Sequence, residues 1–431
     1  MMNDAVFYHI YPLGLCDAPT RNDFTLEPVP RLAQLHDWVD HLCDLGINAV
    51  YLGPVFESTA HGYDTVDYLK VDRRLGTEET LRDVIQHMKQ RGIRVIFDAV
   101  FNHVGRDFWA FQDVLKHGAQ SAYCGWFINL NFEGTSPYGD PFSYEGWAGH
   151  YDLVKLNLKH PDVIAYLAHV VETWINIYGI DGLRLDAADV MDHDFFRVLQ
   201  RPDFWLMGEV VHGDYRHWLD KLDSVTNYEC FKGLYSSHVD CNYFEIAYSL
   251  NRQFGEGGIY QNRMLYNFVD NHDVNRIASN LTQASHLYAV YGLLFTIPGI
   301  PSIYYGSEWG ITGERTPHHD RMLRPALNIH DAKPNPALAQ AIKRMIQVRQ
   351  TLPALRYGDY EQLHINHEQF VFKRHYEGQT VIVAVNASDS MVTLNLNQPH
   401  TLIDRLNNGE TFAPHAAIPL HPSWLRIMEV K

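Results

Sequence analysis

The chain is poor in cysteine. Its five, Cys16, Cys43, Cys124, Cys230 and Cys241, are an odd number without Cys-x-x-Cys spacing, which argues against a disulfide framework or a cysteine zinc site. Long apolar runs are also missing. None approaches the roughly 18 residues of a membrane span, and the most apolar stretch, Leu293–Ile297, is cut off by Pro298. The start, Met1-Met2-Asn3-Asp4, has no basic segment followed by an apolar one, so a cytoplasmic protein without a leader or membrane partner is expected. Positive charge is scarce, 35 Lys and Arg against 51 Asp and Glu, and the net charge of −16 speaks against nucleic acid. The chain shows no internal repeat and no low-complexity tract.

What is present is a pattern of short apolar strands alternating with amphipathic helices. Val6–Ile10 and Ala49–Leu52 read as strands, and between them Leu32, Leu35, Trp38, Val39 and Leu42 carry helical spacing. Leu81, Val84, Ile85 and Met88 mark the next helix, ended by Gly92, and Ile93–Val100 is a β-branched strand of the doubly buried kind. Pro161 opens a helix through Trp174, and further strands fall near 181–186, 204–210, 222–227, 264–270 and 301–305. Eight strands with intervening helices predict a (β/α)8 TIM barrel over 1–103 and 157–354, with a doubly wound open sheet as the alternative. Residues 104–156, rich in Gly, Asn, Ser and aromatics, read as a loop-rich insertion after strand three. Trp109, Trp126 and Trp147 within it form either a sugar platform or the core of that insertion. From 355 to 431 short alternating strands predict a small C-terminal antiparallel β-sandwich domain.

A barrel places its active site at the C-terminal strand ends. Strand three there carries Asp98, Asn102 and His103, strand four Arg184 and Asp186, strand five Glu209, and strand seven Asp270, His272 and Asp273. Three converging acids, Asp186, Glu209 and Asp273, either bind a divalent metal or run acid/base chemistry at an acetal carbon. Arg184 beside Asp186 favours an ionised carboxylate, whereas Glu209 follows an apolar run with no adjacent cation, which favours the protonated acid. That asymmetry suits nucleophile and acid better than two equivalent metal ligands.

Four segments, Asp98–His103, Gly182–Asp186, Gly208-Glu209-Val210 and Phe268–Asp273, resemble the four conserved regions of the α-amylase superfamily, glycoside hydrolase family 13, in order and spacing. The resemblance implies a retaining hydrolase of α-1,4-glucosidic bonds in malto-oligosaccharides, cyclodextrins or related short glucans. It leaves transglycosylation, α-1,6 cleavage and α-glucosidase action open. It assigns Asp186 as nucleophile, Glu209 as general acid/base and Asp273 as transition-state stabiliser. It further implies that Arg184 orients Asp186, that His103 and His272 hydrogen-bond sugar hydroxyls, and that Tyr63 stacks under the reacting sugar. Asp320 and Arg324 resemble the pair that holds the next sugar; Glu308 falls in the strand-eight region, and Arg276 either supports the pocket or forms a surface ion pair.

Lys155 in Leu153–Asn157, and His212 after Glu209, resemble the neopullulanase, cyclomaltodextrinase and maltogenic amylase branch, although Val211 stands where that branch usually has tryptophan. Strand one begins within ten residues of Met1, so the dimerising N-terminal β domain of that branch is not expected and no oligomeric state follows. Asp189 and Val190 replace a Lys-His pair that typical α-amylases use for the acceptor and for calcium. No cofactor is required by the chemistry; calcium is not expected, with Asn102 the candidate ligand that remains.

Overall fold

A computed structural model describes residues 2–317 and 319–431. Eight parallel strands form its centre: β1 (Phe7–Ile10), β2 (Ala49–Leu52), β3 (Arg94–Ala99), β4 (Gly182–Leu185), β5 (Trp205–Gly208), β6 (Ser224–Val225), β7 (Tyr266–Asn267) and β8 (Ile300–Tyr304). They pair in the order β6-β5-β4-β3-β2-β1-β8-β7. A parallel bridge between Thr226 and Tyr266 joins the two edges, so the sheet closes into the expected barrel.

Period-two alternation divides each strand between two environments. Tyr8, Val50, Phe97, Leu183, Leu206 and Ile303 join the large apolar cluster under the helices. Phe7, Ala49, Ile96, Trp205, Tyr266 and Ile300 belong to a separate cluster filling the lower barrel interior. The interior positions one step higher turn polar: His9, Tyr51, Asp98 and Arg184, all buried. A dry floor therefore lies beneath a polar layer.

The outer helices follow the spacing read from sequence. Leu35–Leu45 buries Leu35, Trp38, Val39 and Leu42 and ends on left-handed Gly46. Glu78–Gln90 starts with a Thr77/Thr80 capping box, and Pro161–Tyr178 starts on its proline. The stretch after β3 is more regular than its composition predicts. A helix, Trp109–His117, packs beside a three-stranded antiparallel sheet of His103–Gly105, Gly146–Trp147 and His150–Lys155. Its outer hairpin turns at Ala148 and Gly149, both with positive φ (49° and 83°), as a two-residue turn needs. Trp126 is buried and Trp109 packs edge-on against it; Trp147 sits apart, at the hairpin end.

The C-terminal sheet runs from Asp359 to Val430 as six antiparallel strands, with a two-stranded sheet, Val392–Leu394 and Ile418–Leu420, closing its second core. Arg374, buried, ties this sheet to the barrel, and buried Arg349 braces the barrel side of the junction. Arg374 donates to the carbonyls of Thr296, Leu355, Gly358 and Asp359, and Arg349 to those of Phe295, Leu355 and Gly299. Among the described residues no helix is long and apolar enough to cross a membrane.

Candidate active site

The strand ends open into a cleft of 790 Å³. Asp186, Glu209, Asp273, Tyr63, His103, His272, Asp320 and Arg324 all line it, while Arg184 lies just below its floor. These nine residues are thus brought to one place, whereas Trp109 and Trp126, read from sequence as a possible sugar platform, do not line the cleft.

Arg184 is the hub. Its Nη1 donates to Asp98 Oδ1 at 2.9 Å and to Asp186 Oδ1 at 2.7 Å, and its Nη2 reaches Glu209 Oε1 at 2.9 Å. This corrects the expectation that Glu209 has no cation beside it. Strand register is the reason: Met207 pairs with Arg184 and Gly208 with Leu185, so the β4 arginine lies next to the residue that follows β5. Asp98 is fixed further by the hydroxyls of Tyr51 (2.6 Å) and Tyr63 (2.9 Å).

The expected asymmetry between Asp186 and Glu209 changes accordingly. Burial pushes both carboxyls up, and each is further raised by a neighbouring acid, Glu209 for Asp186 and Asp273 for Glu209. Arg184 pulls both down, but one guanidinium is divided among three carboxylates. Burial and mutual repulsion thus favour a proton on one member of the pair, which is the inventory that an acid and a nucleophile together need. Asp273 goes the other way. Burial raises it, but His272 and Arg324 hold it well below the usual carboxylate range.

The remaining contacts surround the space above these acids. His272 Nε2 lies 3.0 Å from Asp273 Oδ2 and 2.6 Å from the Tyr63 hydroxyl, with the two rings stacked at 5.2 Å. Arg324 donates to Asp273 Oδ1 (3.1 Å) and to the His272 carbonyl (3.0 Å), and stands 3.5 Å from Asp320. His103 Nε2 is 3.8 Å from Asp186 Oδ2, and burial brings its imidazole down to about 3, so it is neutral. Trp147 leans on His103, ring centroids 5.5 Å apart, and lines the cleft.

Two site residues lay outside the sequence reading. Tyr11 lines the cleft beneath the Arg324 guanidinium, 4.8 Å from its ring, and the strand-end rule applied to β1 would have found it. Tyr228, 3.5 Å from Glu209 Oε1 and held by Asn271, begins a helix and had no such mark. Two weaker sequence readings resolve. Glu308 is fully buried away from the cleft, accepting from Tyr8 (2.6 Å) and lying 2.8 Å from His41 Nε2, a structural role. Arg276 forms no surface ion pair: wholly buried, it donates to Ser307 Oγ and to the carbonyls of Tyr305 and Leu323. It thereby holds the turn that carries Asp320 and Arg324. Among the described residues no group of three or more His, Cys, Asp or Glu side chains is arranged to hold a metal ion.

Comparison with known proteins gives concordant matches. A family profile described as alpha amylase, catalytic domain, matches residues 30–335, and one described as alpha-amylase C-terminal domain matches 358–407. A cyclomaltodextrinase of Thermoanaerobacter pseudethanolicus is 36% identical over 412 residues, covering 91% of this chain and 70% of its own. An intracellular maltogenic amylase of Bacillus subtilis is 31% identical over 386 residues, covering 86% of this chain and 64% of its own. Among solved structures, a cyclic α-maltosyl-(1→6)-maltose hydrolase of Arthrobacter globiformis superposes with a TM-score of 0.84 at 28% identity, covering 100% of this chain and 99% of its own.

Proposed function

This chain belongs to the α-amylase family and is a glycoside hydrolase of α-glucans, and from that premise we propose that it cleaves α-1,4-glucosidic bonds of malto-oligosaccharides or cyclodextrins with retention of configuration. The observation that carries the proposal is the single guanidinium of Arg184 spanning Asp186 and Glu209. Acceptors on the two nitrogens of one fork are held close together. That fits the roughly 5–5.5 Å between carboxyls of a retaining pair, rather than the roughly 6.5–9.5 Å that leaves room for a water in an inverting one.

In this reading the Asp186 carboxylate attacks the anomeric carbon as Glu209 passes its proton to the departing glycosidic oxygen. A β-linked glycosyl ester forms on Asp186. Glu209, now ionised, takes a proton from water, which displaces Asp186 and restores the α-configuration. Asp273, kept ionised by His272 and Arg324, accepts hydroxyls of the flattened ring and faces its developing positive charge. Tyr63 stacks under that ring, His103 and His272 bond its hydroxyls, and Asp320 with Arg324 holds the next sugar. Carboxyl groups perform both steps, so the proposal includes no required cofactor. An intracellular location is part of it, supported by five free cysteines and by the name of the Bacillus subtilis relative.

Cleavage of α-1,6 bonds is the second reading, favoured by the near-complete mutual coverage with a structure whose name specifies a (1→6)-linked maltosyl-maltose. Incubation with linear, cyclic and branched glucans, with the first-formed anomer followed by NMR, tests both. An initial β-anomer would sink the retaining mechanism, and release confined to α-1,6 bonds would replace the first reading by the second. Asp186→Asn should lower turnover at least about 10⁴-fold with the fold intact.

A further inference from the structure

Tyr228 opens the helix Tyr228–Val239 that follows β6, and Asn227 caps that helix by accepting from the Cys230 N–H at 3.1 Å. The Tyr228 ring meets Phe231 and Phe268 edge-on, centroids 6.1 and 5.0 Å away. Two side chains reach its hydroxyl: Asn271 Nδ2 at 3.2 Å and Glu209 Oε1 at 3.5 Å. The other end of Asn271 settles the direction of the first contact. Its Oδ1 accepts from the N–H groups of Asp273 (2.8 Å) and Val274 (3.2 Å), so the amide presents its NH2 to Tyr228 and turning it over would break both bonds. The phenol oxygen therefore accepts from Asn271, and its own proton is left for Glu209. Burial, with Glu209 and Asp273 nearby, raises the phenol well above its ordinary range, so that proton stays in place. The other contacts to the Glu209 oxygens are also donors, Arg184 Nη2 at 2.9 Å from Oε1 and the Ala187 N–H at 3.0 Å from Oε2.

We infer that Tyr228 is a positioning residue for the acid/base, its hydroxyl donating to Glu209 Oε1 once that carboxyl has given up its proton. The inference rests on the reading of Glu209 as general acid. The separation of 3.5 Å is long for an O–H···O bond, which usually ends near about 3.0 Å. Such bonds shorten and strengthen when the acceptor is charged, and those of a substrate-free site tighten on binding. The charged and titratable groups around Glu209 are Arg184 and Asp186 from β4 and its end, Asp189, whose N–H donates to the Glu209 carbonyl at 3.2 Å, and His272 and Asp273 after β7. Against that background Tyr228 supplies a neutral donor whose bond gains most in the ionised state.

The alkaline limb of kcat/KM reads this directly. In the first step C1–O breaks, Asp186 bonds to C1, and the Glu209 proton passes to the leaving oxygen, so the rate falls as the free enzyme loses that proton. Tyr228→Phe removes one oxygen and keeps the ring against Phe231 and Phe268. Ionised Glu209 then lacks a donor and holds its proton to higher pH, so for a malto-oligosaccharide the limb should move up by about one pH unit. With α-maltosyl fluoride the C1–F bond breaks and fluoride leaves unprotonated. Formation of the glycosyl-enzyme from it should show no such limb and stay within about threefold of wild type. Glu209→Gln, run alongside, should lose the oligosaccharide and keep fluoride release. A limb that stays where it is or moves to lower pH, or an equal loss on both substrates, would overturn the role of Tyr228. If Glu209→Gln itself fails to separate the substrates, the acid assignment falls instead.

Discussion

Replacing Arg184 by methionine removes the single cation shared by three carboxylates. The side chain is 3% exposed and its partners lie at 2.7–2.9 Å. Breaking one buried ion pair costs about 3–5 kcal/mol, but the carboxyls limit the damage by binding protons. An unfolded carboxyl titrates near pH 4, so keeping one neutral at pH 7 costs at most about 4 kcal/mol, at about 1.36 kcal/mol per pH unit. The sign follows from linkage. Asp186 and Glu209, already raised by burial, titrate higher still without Arg184, so the added penalty is absent below about pH 4 and grows as pH rises. Urea unfolding of wild type and Arg184→Met should therefore differ by about 4 kcal/mol at pH 7 and by about 1 kcal/mol at pH 4.5. Activity should vanish, since the cation that favours and orients the Asp186 carboxylate is gone. A stability gap that is constant with pH, or that widens toward acid, would refute the reasoning.

Buried histidines should set the acid limit. His103 and His238 are both held down to about 3 by burial, so the unfolded chain takes up protons first below about pH 6.5 and stability falls from there. Each contributes about 2 kcal/mol of loss at pH 5; His238→Gln should flatten the decline in Tm between pH 7 and 5, and parallel curves would exclude this cause. Arg374→Met removes hydrogen bonds to four carbonyls, of which the buried one of Thr296 loses this donor while that of Leu355 keeps Arg349, and should lower stability by about 2–4 kcal/mol in urea unfolding, with kcat for the folded enzyme unchanged.

The barrel was legible because its signals are local. Helical spacing at Leu35–Leu42 and Leu81–Met88, the proline at 161 and the β-branched run of β3 each follow from one element's own burial. The strand-end acids were legible too, since a carboxylate directly after an apolar run has few structural uses. What the sequence hid was set by neighbouring strands. The Arg184–Glu209 contact depends on β4–β5 register, and Tyr51 reaches Asp98 across the β2–β3 pair. The insertion passed for a loop because strands as short as Gly146–Trp147 are too brief to show alternation. Asp189 was legible as a departure from a family pattern, while the bond from its N–H to the Glu209 carbonyl was not.

The polar layer of the barrel is short of positive charge. Four carboxyls, Asp98, Asp186, Glu209 and Asp273, share two guanidiniums, Arg184 and Arg324, with His272 beside Asp273. A neutral sugar in its resting chair does nothing to correct this. The same ring part-way through bond breaking, with cationic character spread over its carbon and ring oxygen, becomes the missing counter-ion. Under the proposed mechanism the cleft is thus an anionic mould whose best occupant exists only at the top of the barrier.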